Sequence, residues 1–185
     1  MSRLMEELQR DHKRIDKVLT LLESQIEALE NDGDPDLALL QDALDYVEHY
    51  PDLIHHPRED VIYTAFRRRS LDANVVIDGL LSEHATMPAL TRAFRELIDE
   101  AVSGALVVSR ETIVQKGRDY VRAQRDHLNT EEGLLFPLIK EQFDSEDWQQ
   151  LEATMPAPQD PMFDAEIDRY SNLFNYIKSR TAEPV

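Results

Sequence analysis

The feature of this sequence that most constrains its fold is an internal repeat with a period of 72 residues. Each half of the chain carries one histidine and, 43 residues further on, the pattern His-x-x-x-Glu. Three pairs of residues coincide at this offset: His12 with His84, His55 with His127, and Glu59 with Glu131. Duplication of a helical hairpin would explain repeated apolar positions, but repeated histidines and glutamates among them require a chemical reason.

Apolar residues recur at helical spacing in four long segments, which span about residues 2–30, 36–70, 74–101 and 109–140. Glycine is rare, with five in 185 residues, and this scarcity favours an all-α chain. Short breaks separate the segments, among them residues 31–35 and the turn at Gly104. We therefore predict an up-down antiparallel four-helix bundle with an internal pseudo-twofold repeat and extra C-terminal helices.

The predicted bundle occupies residues 1–140, and residues 141–185 form a C-terminal helical extension. A short helix begins after Asp144 and ends before Pro156, and a last helix begins at Asp160 and Pro161. The last helix places five apolar residues on one stripe: Phe163, Ile167, Tyr170, Phe174 and Ile177. We expect this stripe to pack on the bundle or on a partner.

Composition excludes several classes of function. Cysteine is absent, which rules out iron–sulfur clusters, thiolate zinc sites and cysteine nucleophiles, so that imidazole and carboxylate must hold any transition metal. The formal net charge of −17 argues against nucleic acid and anionic membrane as partners, because both require a basic face. No apolar stretch resembles a signal peptide or a membrane span, which predicts a cytoplasmic protein.

The repeated residues carry the ligand chemistry of a metal site. Residues i and i+4 share one face of a helix, so His55 lies beside Glu59. His127 and Glu131 have the same spacing, and the other two histidines of the repeat occupy apolar seams. Burying four imidazoles and two carboxylates without partners is very unfavourable. Two metal ions, each with two histidines and a share of two bridging glutamates, would relieve that cost.

His56 is an alternative ligand, because it directly follows His55 and has Asp60 as its own i+4 partner. The repeat favours His55, since Leu128 coincides with His56.

Two sequence stretches resemble a known family. Residues 50–60, YPDLIHHPRED, and residues 127–137, HLNTEEGLLFP, are similar to the second- and fourth-helix motifs of bacterial hemerythrin-like proteins, the HHE cation-binding family. The resemblance covers about residues 3–140. It implies a non-haem site of two iron ions, bridged by carboxylates and by an oxo or hydroxo group. The implied metal ligands are His12, His55, His84 and His127 at terminal positions and Glu59 and Glu131 as bridges.

One position departs from the oxygen-carrying members of that family. They have a fifth histidine four residues after the third-helix ligand, and this chain has Pro88 there. The departure favours reactivity over reversible oxygen storage.

The resemblance leaves three functions open. The first is a protein that binds or reacts with O2, NO or peroxide in sensing, storage or stress response. The second is an enzyme similar to iron-centre repair proteins, which turns over NO or peroxide and delivers iron. The third is a zinc-binding interaction module. Whether the protein is an enzyme, and whether it forms a homodimer, also stay open.

Overall fold

The computed structural model describes residues 2–104, 107–164 and 168–180, and these residues form helices without any strand. The bundle contains α1 (Arg3–Glu30), α2 (Leu37–His49), α3 (His56–Phe66), α4 (Asn74–Ser103), α5 (Arg110–Thr130) and α6 (Phe136–Gln142). The extension contains α7 (Ser145–Thr154), a 3-10 turn (Asp168–Tyr170) and α8 (Ser171–Arg180). This architecture confirms the predicted all-helical bundle. Within the described ranges, no helix is both long and apolar enough to cross a membrane.

Two of the four long segments are interrupted by a π-helical turn, which the sequence analysis did not predict. One turn, Pro51–His55, joins α2 to α3, and the other, Glu131–Leu135, joins α5 to α6. Each turn ends two residues before a proline, Pro57 or Pro137. Proline lacks the backbone N–H of a regular helix and its ring clashes with the carbonyl four residues earlier, so the preceding turn widens. Both wide turns lie beside the repeated His and Glu residues.

The apolar core is divided into two clusters, and the repeated polar residues lie between them along the bundle axis. In α1, Leu8 belongs to one cluster and Ile15 to the other, with His12 between them. The first cluster also contains Phe66 and Phe136, and the second contains the inner face of α2. The fold therefore encloses one polar layer between two apolar layers.

The C-terminal extension contacts the bundle through both of its helices. Arg3 at the start of α1 donates its backbone N–H to Glu152 of α7 at 2.9 Å. Leu173 and Ile177 of α8 are buried in the same cluster as the inner face of α2. The division of the chain into a bundle of residues 1–140 and a helical extension of residues 141–185 stays a prediction.

The last helix starts later than predicted. Asp160 caps the backbone N–H groups of Met162 and Phe163, but only a turn follows, and the helix begins at Ser171. Both Phe163 and Tyr170 contact the ring of Tyr46, at centroid distances of 6.4 and 5.7 Å. Ile167, which was predicted on the same stripe, lies outside the described residues.

We predict that Leu173→Ala lowers the free energy of unfolding by about 2–5 kcal/mol, because it leaves a cavity where α8 meets the bundle. Leu173 is fully buried, whereas Leu71 is 82% exposed. Leu71→Ala is therefore the matched control and should change stability little. Thermal and denaturant melts of both variants measure the difference. Equal stability of the two variants would show that α8 does not pack on the bundle in solution.

Candidate metal centre

The structure brings all four repeated histidines into the polar layer, with each exposed by 6% or less. They arrive from four directions: His12 from α1, His55 from the first π turn, His84 from α4 and His127 from α5. The rings form two adjacent pairs. His12 and His55 lie 4.9 Å apart between centroids, and His84 and His127 lie 4.8 Å apart. We call these the first and the second histidine pair.

Glu59 lies between the two pairs and offers one carboxylate oxygen to each. Its Oε1 is 3.2 Å from Nε2 of His12 and 3.4 Å from Nε2 of His55. Its Oε2 is 3.6 Å from Nε2 of His84. Because the carboxylate is fully buried, each of its two oxygens needs a cation or a hydrogen-bond donor on the side that it faces.

Glu131 has the same arrangement with the directions exchanged. Its Oε2 faces the first pair, 3.4 Å from Nε2 of His12. Its Oε1 faces the second pair, 3.4 Å from Nε2 of His84 and 3.2 Å from Nε2 of His127. Tyr63 also donates its hydroxyl to Oε1, at 2.6 Å. Both glutamates thus have the placement of carboxylates that bridge two metal positions.

An outer set of carboxylates faces the Nδ1 atoms of the same histidines. Three are hydrogen-bonded at 2.5–2.9 Å, and the fourth lies at 3.4 Å without a hydrogen bond: Glu132 on His12, Asp60 on His84, Glu83 on His127 and Asp11 on His55. An acceptor on Nδ1 fixes the tautomer in which Nδ1 carries the proton and Nε2 is free to bind a metal. Nε2 of every repeated histidine points inward as that tautomer requires.

The outer carboxylates also occupy equivalent positions in the two halves of the repeat. Asp11 and Glu83 are 72 residues apart, and so are Asp60 and Glu132. The contacts follow the same symmetry, because each half supplies the outer carboxylate for the α1 or α4 histidine of the other half. Asp60 therefore serves His84, and it is not the partner of His56 that the sequence suggested.

His56 also enters the polar layer, although the sequence analysis favoured His55 alone. It is 4% exposed, and its ring stacks on His84 with a centroid distance of 4.6 Å. One ligand atom from each of four residues lies within 4.8 Å of the other three: His56, Glu59, His84 and His127. A second such group contains His12, His55 and Glu59. The π turn before His56 explains how two consecutive residues can both face the interior.

Several buried polar atoms in this layer have no hydrogen-bond partner among the described residues. They are Oε2 of Glu59, Oε2 of Glu131, both ring nitrogens of His55, and Nδ1 of His56. Buried polar atoms in folded proteins are almost always paired, so each orphan requires an explanation. Imidazole nitrogen and carboxylate oxygen are the donors that suit first-row divalent metals, and the residues present therefore fit a metal pair.

In the metal-free cluster, burial and the neighbouring charged groups shift the pKa values of the histidines in opposite directions. Burial tends to lower the pKa of His12, but hydrogen bonds to Glu132 and Glu59 raise it overall to about 10. Burial likewise tends to lower the pKa of His84, but hydrogen bonds to Asp60 and Glu131 raise it overall to about 10. Burial lowers the pKa of His55 to about 3.

The two central glutamates stay ionised in the isolated cluster. Burial raises the pKa of Glu131, yet its hydrogen bonds with His127 and His84 bring that pKa well below its usual range. Without metal, protonated imidazoles thus balance the two central carboxylates.

We predict that metal binding at pH 8.5 releases protons from His12 and His84. A histidine with an ordinary pKa of 6.5 is already neutral at that pH, whereas one with a pKa near 10 must lose its proton before its nitrogen can bind metal. Apparent metal affinity should therefore keep rising with pH until about pH 10. Calorimetric titration in buffers of different ionisation enthalpy counts the released protons.

Glu132→Gln is the control for that measurement, because it removes the outer carboxylate that raises the pKa of His12. This variant should release fewer protons at pH 8.5, while protons lost from metal-bound water are unaffected. No release from the unaltered protein at pH 8.5 would contradict the raised pKa values.

The observed polar layer contains residues beyond the six predicted ligands, namely the outer carboxylates, His56 and Tyr63. All six predicted ligands lie in the cluster, and their role as ligands stays a prediction. His56 was treated only as a substitute for His55, and Tyr63 was not singled out because a tyrosine at a core position has no distinguishing pattern. Pro88 lies within α4, one turn beyond His84, and offers no ligand atom.

Comparison with models of protein families identifies a related family. The sequence model described as the hemerythrin HHE cation binding domain matches residues 3–139 of the chain. That range includes every residue of the polar layer and ends before α7. No curated protein is significantly similar to the chain.

Proposed function

This chain belongs to the hemerythrin HHE cation-binding family, and from that premise we propose that it holds two iron ions in the polar layer and takes up O2, NO or peroxide there. His12 and His55 would hold one metal, and His84 and His127 the other. Glu59 and Glu131 would bridge them. Iron, when bound, supplies one-electron redox chemistry and coordination positions that a small ligand can occupy.

The observation that carries the proposal is the orientation of the two buried glutamates. Each directs one oxygen at the first histidine pair and the other at the second. A single metal ion would need only one of these directions. Two metal positions use both oxygens of both carboxylates, including the two Oε2 atoms that otherwise have no hydrogen-bond partner.

The surrounding residues control water and protons at this centre. The two apolar clusters exclude water from both ends of the polar layer, which strengthens every charge interaction inside it. Tyr63 holds its phenolic proton on Glu131, and burial raises the pKa of that phenol well above its usual value. Tyr63 thus remains a hydrogen-bond donor over the whole physiological pH range.

A surface pocket of about 400 Å³ offers a route for small molecules to the first histidine pair. Its wall includes His12 itself and the outer carboxylate Glu132. Lys13 and Arg125 also line it, together with the acidic side chains of Asp16 and Glu132, so its wall carries charges of both signs. A diatomic molecule or peroxide entering here would meet His12 before any other residue of the cluster.

We predict two metal ions per chain and a sharp contrast between neighbouring glutamates. Glu131→Ala removes a bridge and should weaken both metal positions. Glu132→Ala removes only the acceptor on His12 and should weaken one position about 10–100-fold while the stoichiometry stays at two. Metal analysis after equilibrium dialysis measures both quantities. Glu59→Ala should behave like Glu131→Ala, and Asp60→Ala like Glu132→Ala.

A measured stoichiometry of one metal for the unaltered protein would contradict the paired site. So would a Glu131→Ala variant that still binds two metals with unchanged affinity.

We also predict that protein purified from iron-replete cells contains iron in preference to zinc. The oxidised protein should then absorb in the near-ultraviolet and visible range, whereas a zinc protein is colourless because Zn²⁺ has a filled d shell. Metal analysis and an optical spectrum of the same sample decide between the two. Adding NO to the reduced protein should change the spectrum of an open iron site. A colourless protein with two zinc ions would support the interaction module instead.

A further inference from the structure

His56 lies closer to the second histidine pair than to the first, although its ring is also 5.6 Å from that of His55. Its ring stacks on His84 and meets the edge of His127 at a centroid distance of 5.4 Å. It shares a group of potential ligand atoms with those two residues and Glu59, whereas His55 falls in the group of His12. The two consecutive histidines of α3 and its π turn therefore serve different sides of the centre.

His56 has the same kind of outer partner as the other four histidines. The carboxylate of Asp52, in the π turn, lies 3.5 Å from Nδ1 of His56. In each of the other histidines a carboxylate occupies the Nδ1 side, and Nε2 faces the centre. The common pattern leaves Nε2 of His56 as the nitrogen available to a metal.

The pair formed by Asp52 and His56 is poorly explained as ordinary core packing. Both residues are buried, and neither oxygen of Asp52 nor Nδ1 of His56 has a hydrogen-bond partner among the described residues. An unpartnered carboxylate beside an unpartnered imidazole is costly in a bundle interior. A metal on Nε2 would polarise the ring, strengthen the Nδ1–H donor and draw it toward Asp52.

The repeat has no equivalent of this pair in the other half of the chain. The positions 72 residues later are Leu128 and Gln124, which carry no imidazole and no carboxylate. The pair is thus an addition to the symmetric set of four histidines and two glutamates. It stands on the side where α4 has Pro88 and cannot supply a further ligand.

We propose that His56, positioned by Asp52, is a fifth imidazole ligand, which gives one metal three histidines and leaves the other with two. The metal at the second histidine pair is held by His56, His84 and His127, and the metal at the first pair by His12 and His55. The inference rests on the proposed pair of metals, and it adds to that proposal that the two positions are unequal.

The repeat itself supplies the test variants. His56→Leu and Asp52→Gln each install the residue that stands at the equivalent position of the other half, and the double variant makes the two halves alike. The probe is Fe(II), titrated under anaerobic conditions into the full-length metal-free protein. Mössbauer spectra of the protein loaded with ⁵⁷Fe(II) then report whether the two irons have the same surroundings.

The unaltered protein should bind two Fe(II) ions in two steps of different affinity and give two distinct quadrupole doublets. His56→Leu should still bind two, with the tighter step weakened about 10-fold or more. The doublets of the double variant should converge. His55→Leu is the matched control, since it should weaken the other step and increase the difference between the doublets.

The outcomes separate this inference from the proposed function. If the unaltered protein binds fewer than two Fe(II) ions, the metal pair itself is wrong. If it binds two and His56→Leu changes neither the dissociation constants nor the doublets, the pair stands and His56 is no ligand. Thermal melts of the metal-free variants check folding. If His56→Leu does not fold, Asp52→Asn keeps the shape of the side chain and removes its charge, and unchanged iron affinity in that variant overturns the inference.

Discussion

Two fully buried carboxylates surrounded by imidazoles are the interaction on which the rest of this structure depends. Glu59 and Glu131 are both 0% exposed, and an isolated carboxylate in such surroundings would be neutralised by protonation. The histidines prevent this, because their nitrogens approach every oxygen that faces the centre. The helices must therefore hold at least four rings at fixed distances from two carboxylates, and a four-helix bundle can do so from all sides.

The bundle meets that requirement by separating its apolar residues into two layers. Leu8 and Ile15 lie one helical turn or less on either side of His12, so apolar packing begins directly above and below the polar layer. Pro57, within the first His-x-x-x-Glu stretch, and Pro137, six residues after the second, each follow a π turn that widens the helix beside the centre. The local irregularity is thus concentrated at the polar layer, as is common for π turns at functional sites.

Much of this arrangement follows from the sequence, and the reasons for the exceptions are physical. The 72-residue repeat predicts the four bundle segments and places six polar residues in their seams, because periodicity and i+4 spacing are local properties. His56 is different, since a regular helix turns consecutive residues about 100° apart and only one of His55 and His56 could face inward. The π turn before Pro57 removes that restriction, and a wide turn of this kind has no pattern that helical periodicity detects.

The outer carboxylates and Tyr63 could not be identified from sequence for another reason. Asp11, Asp60, Glu83 and Glu132 are four acids among 37, and their role depends on contacts between different helices. Their shared 72-residue spacing is visible in the sequence, but an aspartate that coincides with a glutamate on a helix surface is common and does not by itself indicate a metal site. In the extension, the contacts of Phe163 and Tyr170 with Tyr46 are likewise long-range, and sequence periodicity did not predict the start of α8 at Ser171.

Three departures from symmetry that add polar groups near the centre lie in the first half of the repeat. His56 and Tyr63 face the centre and Asp52 lies behind His56, whereas the equivalent positions are Leu128, Leu135 and Gln124, and the two leucines join the apolar clusters. The second histidine pair is therefore surrounded by additional polar residues, and the first pair is not. On the proposed ligand set, the metal of the first pair has fewer imidazoles and more coordination positions open to an incoming molecule.

The surface pocket reaches His12, which belongs to the first histidine pair, and Leu128, the repeat equivalent of His56, lines that pocket. The asymmetry of the sequence repeat thus coincides with the side from which a small ligand can enter.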